Sequence, residues 1–191
     1  MFNPYASRSH KEMKEVLMNP ESAGPEIYYY MIRGGKNKKN ITILESGTVG
    51  GEYVKTYGHY HIGNLDETYW IAEGEGVVVL QKRKSDKNGK PIDDEIESFQ
   101  AIAVKKGDSV FIPSGTGHLL ANIGKSWLVA IDDSPVNFEE ADLVSLPGHA
   151  DYEPIRKMRG FAYYIVEKNG RSKLIKNPNY KKIPAPMENV F

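Results

Sequence analysis

Apolar and polar residues alternate at a period of two along most of the chain, in short runs bounded by Gly, Pro, Asn or Asp. Such a period sends successive side chains to opposite faces of a strand, so one face can be buried while the other meets water. The pattern predicts strands at Ile27 to Arg33, Ile41 to Glu45, Gly51 to Thr56, Glu67 to Glu73, Gly76 to Lys82 and Ile96 to Val104. Further strands are expected at Ser109 to Ile112, His118 to Asn122, Ser126 to Asp132, Ala162 to Lys168 and Ser172 to Lys176. Many short strands joined by turns make an all-β sandwich or barrel. Between Lys82 and Ile96 the Asn88-Gly89 pair predicts a tight turn at a charged hairpin tip, and Lys36 to Lys39 read as a solvated loop.

A helical period is confined to Ser9–Met18, where Met13, Val16 and Leu17 share one face ahead of Pro20. A short turn is expected after Phe138. From Pro178 to Phe191 no period survives; Pro184 and Pro186 predict an extended tail that frays or lies on a neighbouring subunit. The reading is one domain over residues 1–191, with a core barrel at about 27–176, a helical segment at 9–18 and a tail at 178–191.

Composition narrows the chemistry. Lys and Arg number 25 against 25 Asp and Glu, so no bulk charge draws the chain to nucleic acid. Cysteine is absent, which removes disulfides, thiol nucleophiles and Cys-ligated metal. Any metal here takes His and carboxylate. The N-terminal residues lack a basic-then-apolar leader, and no run approaches the roughly 18 apolar residues of a membrane span, so a cytoplasmic protein with no membrane partner is expected.

Five histidines occur, at 10, 59, 61, 118 and 149. In an extended Gly58-His59-Tyr60-His61 both imidazoles leave one face together while Tyr60 leaves the other. A turn at Ile62 to Asp66 and antiparallel pairing of the next strand would bring the Glu67 carboxylate beside them, with Tyr69 in the same cavity. Asp66 is the alternative carboxylate. His118 is a candidate fourth ligand. Three imidazoles and one carboxylate suit one divalent transition ion such as Fe, Mn, Ni, Cu or Zn, with positions left open for substrate or water.

Gly107, Pro113, Gly115, His118 and Asn122 stand at the spacing of the second cupin motif, and His59, His61, Glu67 and Gly74 resemble the first, with one residue more than usual between His61 and Glu67. The flanking runs, Ile41 to His61, Glu67 to Gln81, Val110 to His118 and Gly148 to Tyr152, resemble the cupin-type glucose-6-phosphate isomerases of archaea and some bacteria. That resemblance implies a cupin jelly-roll barrel with short peripheral helices, and an isomerase of glycolysis and gluconeogenesis working as a homodimer. It implies metal ligands at His59, His61, Glu67 and His118 and a catalytic role for Glu67. It also implies a sugar phosphate held by Thr42, Thr56, Gly58, His149 and Tyr152, with Tyr69 beside it. Tyr28 matches an aromatic residue of the family's pocket, whereas Gly115 and Asp132 stand where the family carries aromatics. Strict alternation puts Thr56 and Gly58 on the face opposite His59, so the resemblance requires a bulge near Gly58. Two mechanisms fit, a proton shuttle through an enediol and a hydride shift. The alternatives are another metal cupin enzyme, for example a dioxygenase or another sugar isomerase or epimerase, and a sugar-binding cupin without catalysis.

Overall fold

The computed structural model describes residues 6–34, 39–135 and 150–189. Its strands are β1 (Ala6–Ser9), β2 (Ile27–Ile32), β3 (Asn40–Leu44), β4 (Thr48–Val49), β5 (Glu52–Tyr53), β6 (Tyr60–His61), β7 (Glu67–Glu73) and β8 (Glu75–Ser85). They continue as β9 (Pro91–Lys105), β10 (Ser109–Ile112), β11 (Thr116–Asn122), β12 (Leu128–Asp132), β13 (Ala150–Asp151), β14 (Tyr163–Lys168), β15 (Arg171–Lys176) and β16 (Met187–Asn189). A six-stranded sheet runs in the order β1-β2-β3-β12-β7-β10 and a four-stranded sheet in the order β11-β8-β9-β16. These two sheets, joined by long crossovers, form the jelly roll of the cupin class. A further four-stranded sheet, β15-β14-β5-β4, adds Tyr163 and Ile165, with Phe161 just ahead of β14, to one core shared with Leu44, Ile71, Val78 and Leu120.

The alternation along the strands decides what faces the interior. In β3 the buried positions are Asn40, Thr42 and Leu44, and in β12 they are Leu128, Ala130 and Asp132. Cross-strand pairing aligns these positions in rows, Thr42 with Ala130 and Ile71, and Asn40 with Asp132 and Tyr69. The polar row is satisfied internally: Asn40 Nδ2 donates to Asp132 Oδ1 at 2.6 Å, and the Ser134 hydroxyl donates to the same oxygen at 2.7 Å.

Several expectations need correction. The predicted helix over 9–18 is shorter: α1 (His10–Met13) passes into a 3-10 turn at Lys14–Val16, and Leu17 is already extended. Its start is a capping box in which Ser9 and Glu12 satisfy each other's backbone, and Met13, Val16 and Leu17 are all buried as the period requires. A second helix, α2 (Glu153–Lys157), had no helical period to announce it. The turn expected after Phe138 and the loop at 35–38 lie outside the described residues. The tail neither frays nor leaves its own barrel over the described residues. Tyr180 is buried with its hydroxyl donating to Gly160, Lys182 bridges to Glu95, and β16 adds to β9 in parallel. Among the described residues no helix is long and apolar enough to cross a membrane.

Candidate metal centre

His59 and His61 reach the site through the segment 54–59, which runs antiparallel along the edge of β11. Asn122 N–H donates to Val54, Thr56 N–H donates to Leu120, and His59 and His118 exchange both backbone hydrogen bonds. Between the Thr56–Leu120 and His59–His118 pairings the inner segment holds one residue more than β11, so the expected bulge is present. Gly58 sits in it at φ +77°, where a Cβ would meet Phe161. The extra residue restores the parity and puts Thr56 on the same face as His59. The Thr56 hydroxyl accepts a hydrogen bond from Leu120 N–H at 3.0 Å.

His59, His61 and His118 bring three ring nitrogens within 4.8 Å of one another. Glu67 lies against two of these rings, its Oε2 3.0 Å from His61 Nε2 and 3.1 Å from His118 Nε2. It does not arrive by hairpin pairing, as the sequence suggested: β6 pairs with β13, whereas Glu67 opens β7 opposite Ile112 of β10. Barrel curvature, not a shared ladder, brings the carboxylate to the imidazoles. Asp66 is exposed and committed elsewhere, accepting from Ser114 N–H at 2.7 Å, so it pins the 62–66 loop and is not the ligand carboxylate.

The electrostatics follow from burial. The His59 imidazole is pushed well below its ordinary pKa by burial and by the neighbouring His118 and His61, so it is neutral and able to offer a lone pair. Burial raises the Glu67 pKa, but the opposing pull of His118 and the hydrogen bond from His61 prevail and keep it an anion. Tyr69, edge-on to His118 at 5.5 Å between ring centres, is raised far above the usual phenol value by burial and by Glu67. The residues fit a divalent ion. His118 Nε2 is fully buried and, although close to Glu67, lacks the geometry of a hydrogen bond to any described partner. An orphaned imidazole nitrogen facing two more imidazoles and a carboxylate is the donor set of a borderline transition metal.

The remaining expected residues fall at different distances from this cluster. The Tyr152 ring is 5.5 Å from His59 and edge-on to Tyr57 at 5.3 Å. Thr42 faces the interior one row away from the Asn40–Asp132–Tyr69 row. His149 lies outside the described residues. Tyr28 is a correction: it points out of the barrel toward His10, whose Nδ1 is 3.2 Å from its hydroxyl, whereas Tyr29 faces inward with its hydroxyl accepting from Tyr57 N–H. Three adjacent tyrosines gave no parity from which to choose; the pairing of Tyr29 with inward Leu44 does. Two cations were also missed. Arg33 lies 3.7 Å from Asp132, and Arg8 lies over the Tyr152 ring.

Strand order and donor set together define a cupin with a candidate metal site. Comparison with known proteins gives the particular family: the profile described as Glucose-6-phosphate isomerase (GPI) matches residues 30–182, and the chain belongs to that family. The glucose-6-phosphate isomerase of Pyrococcus furiosus is 30% identical over 173 residues, covering 88% of this chain and 79% of its own. That of Pyrococcus abyssi is 29% identical, over 90% of this chain and 80% of its own. Among solved structures, the Drosophila melanogaster CENP-C cupin domain aligns over 69% of this chain and 81% of its own, at 12% identity and a TM-score of 0.39.

Proposed function

We propose that this chain interconverts glucose 6-phosphate and fructose 6-phosphate as a metal-dependent aldose-ketose isomerase. The observation that carries the reading is the convergence of His59, His61, His118 and Glu67 on one point inside a barrel of this family. These four residues would hold the ion, which when bound supplies Lewis-acid polarisation of the sugar carbonyl. The ion class is a divalent transition metal such as Mn, Fe, Ni or Zn.

The chain's own groups supply the rest. Glu67 remains ionised, so its carboxylate can accept the proton from C2 of the aldose as the C2–H electron pair forms the C1–C2 double bond of an enediol. O1 takes up a proton as the C1 carbonyl opens, the O2 hydroxyl gives one up as the C2 carbonyl forms, and the same carboxylate returns its proton to C1, leaving the ketose with no other reactant consumed. The Tyr69 hydroxyl, held protonated, donates a hydrogen bond to a sugar oxygen on which charge develops. Thr42, Thr56, Gly58, His149 and Tyr152 bind the substrate. The reaction belongs to glycolysis and gluconeogenesis, and the chain is assigned to the cytoplasm with its substrate.

A second copy of the chain completes the assembly. The outer face of the six-stranded sheet carries Ile32, Ile41, Ile131 and Trp70 in one row and Tyr30, Ile43 and Val129 in the next, with Trp127 42% exposed alongside. Two such faces pair about a two-fold axis, the same apolar patch contributed by both copies.

A coupled assay that follows glucose 6-phosphate formed from fructose 6-phosphate tests the activity. Turnover lost on chelation and restored by a divalent ion is expected; turnover indifferent to chelation, or none in the metal-loaded chain, rejects the reading. Run in deuterated water, the same reaction places solvent deuterium in the product if the proton passes through Glu67, and full retention of the original hydrogen points to a hydride shift instead. Light scattering at twice the chain mass checks the dimer.

A further inference from the structure

Arg8 lies outside residues 30–182, the part of the chain that the family profile matches. Strand β1 nonetheless folds it back onto the barrel, pairing Arg8 with Tyr29, whose own partner across β3 is the inward Leu44. A register shift between Arg8 and Ser9 interrupts the ladder at this residue. Bulges of this kind re-aim a side chain and are frequent at the rims of barrels beside active sites.

The surroundings of the guanidinium are unusual for a structural arginine. It lies 5.2 Å from the centre of the Tyr152 ring and 5.9 Å from that of Tyr57, and its residue stands opposite Tyr29 across the β1–β2 ladder. Its Nε is buried and has no hydrogen-bond partner. The carboxylate within reach is Glu12, 3.0 Å away through Oε1, and that side chain is 45% exposed with its other oxygen held by Ser9 in the capping box. A half-buried cation among aromatic rings, answered by one solvated carboxylate and keeping a spare N–H, is arranged for an anion that arrives from outside.

The distance to the reaction centre fits. Tyr152 is 5.5 Å from His59, which puts the guanidinium no more than about 11 Å from that ring. An open six-carbon chain advances about 1.25 Å per bond, so a sugar reacting at C1 and C2 beside the imidazoles carries its phosphorus about 8 Å away. Tyr57, whose ring faces this cation, is part of the bulge that also contains Gly58.

We infer that Arg8, with the hydroxyls of Tyr29 and Tyr152, binds the phosphate dianion of the substrate and sets the preference for phosphorylated over free sugars. The inference rests on the isomerase reading for its substrate, but the subsite is testable without turnover. Inorganic phosphate is titrated into the Mn(II)-loaded chain by calorimetry, and KM and kcat for fructose 6-phosphate are measured in parallel. Arg8→Gln weakens phosphate binding and raises KM by about 10–100-fold, the loss falling on KM and not on kcat, because a charge-assisted hydrogen-bond pair to a dianion is lost. Arg8→Lys keeps the charge but not the planar fork, and gives values between those of Gln and the parent. Unchanged Mn(II) content in both variants shows that the barrel is intact. If Arg8 only packs against the tyrosines, Gln and Lys variants bind phosphate as the parent does, and the inference fails. Arg8-dependent phosphate binding in a chain without isomerase turnover overturns the isomerase reading alone; turnover with a KM indifferent to Arg8→Gln overturns the subsite alone.

Discussion

The bulge at Gly58 is the hinge of the metal centre, and replacing Gly58 by Ala measures what it holds. Two costs add. The backbone at φ +77° is the left-handed region, which costs an L-residue about 1–2 kcal/mol. The new methyl would also meet Phe161, which is fully buried, and would come within 3.1 Å of both the His118 carbonyl oxygen and Leu119 Cβ. Overpacking in such a place costs about 1–3 kcal/mol, so the variant is expected to lose about 2–5 kcal/mol of stability. Gly115→Ala is the internal control: its φ is +74°, yet nothing lies within 4 Å of the added Cβ, so only the backbone cost applies. Urea unfolding of both variants isolates the packing cost as their difference. Relief at Gly58 moves the backbone that exchanges hydrogen bonds with His118, so Mn(II) binding should weaken in Gly58→Ala and not in Gly115→Ala. If Gly58→Ala is no less stable than Gly115→Ala and binds a full equivalent of metal, the bulge is not what sets the histidines.

Removing a ligand gives a simpler outcome: His61→Ala or His118→Ala should lower bound Mn(II) to well below one per chain by elemental analysis, and full occupancy in both would defeat the site. Acid should destabilise the metal-free chain in two stages, because the site holds one imidazole and one carboxylate with depressed folded-state pKa values, the carboxylate stage being shared with Glu12, Glu73, Asp93 and Asp94. His59 contributes stability that is complete above its unfolded value of about 6.5 and is lost as pH falls below it, at about 1.4 kcal/mol per pH unit until the folded value is reached. Glu67 adds a second loss as pH falls below its ordinary 4.5. Urea midpoints measured in chelator from neutral pH downward check both, and a flat profile through the His range would refute the buried neutral imidazole. A buried ion pair supplies a further test. Lys55 Nζ lies 2.5 Å from Glu52 and donates to Val16 O, while Glu52 accepts from Met18 N–H, so Glu52→Gln should cost about 3–5 kcal/mol by leaving the lysine uncompensated.

Legibility along this chain tracks how local the stabilising contacts are. Strand β7 and strand β10 have the expected bounds because Glu67, Tyr69 and Ile71 alternate with outward residues and turn residues close both ends. The β9 strand was expected to begin at Ile96 and begins at Pro91, because Asp93, Asp94 and Glu95 read as loop. Their partners are remote: Arg83 Nη1 is 2.6 Å from Asp93 across the hairpin, and Lys181 and Lys182 reach Asp94 and Glu95 from the tail. Charges that look like solvation in sequence are matched across distant segments in the fold. Strands β1, β4, β13 and β16 escaped for a related reason: they are two to four residues long and exist only because a neighbouring strand offers an edge.

The site obeys the same division. His59 and His61 were visible because two imidazoles two residues apart are a local fact, and the spacing around His118 is another. How Glu67 reaches them was not, since a hairpin and a barrel wall bring it to the same place from one sequence. The bulge decides between ligand and bystander on this edge: without the extra residue at Gly58, Thr56 and His59 would face opposite ways, and the polar face of segment 54–59 would split between core and cavity. Arg8 shows the limit most plainly. Nothing near it in sequence marks it as part of a site, yet pairing of β1 with β2 sets its guanidinium among Tyr29, Tyr57 and Tyr152, the last of which lies against His59 of the histidine cluster. A strand outside the family's matched segment can therefore change what the pocket recognises while leaving the reacting groups as they are.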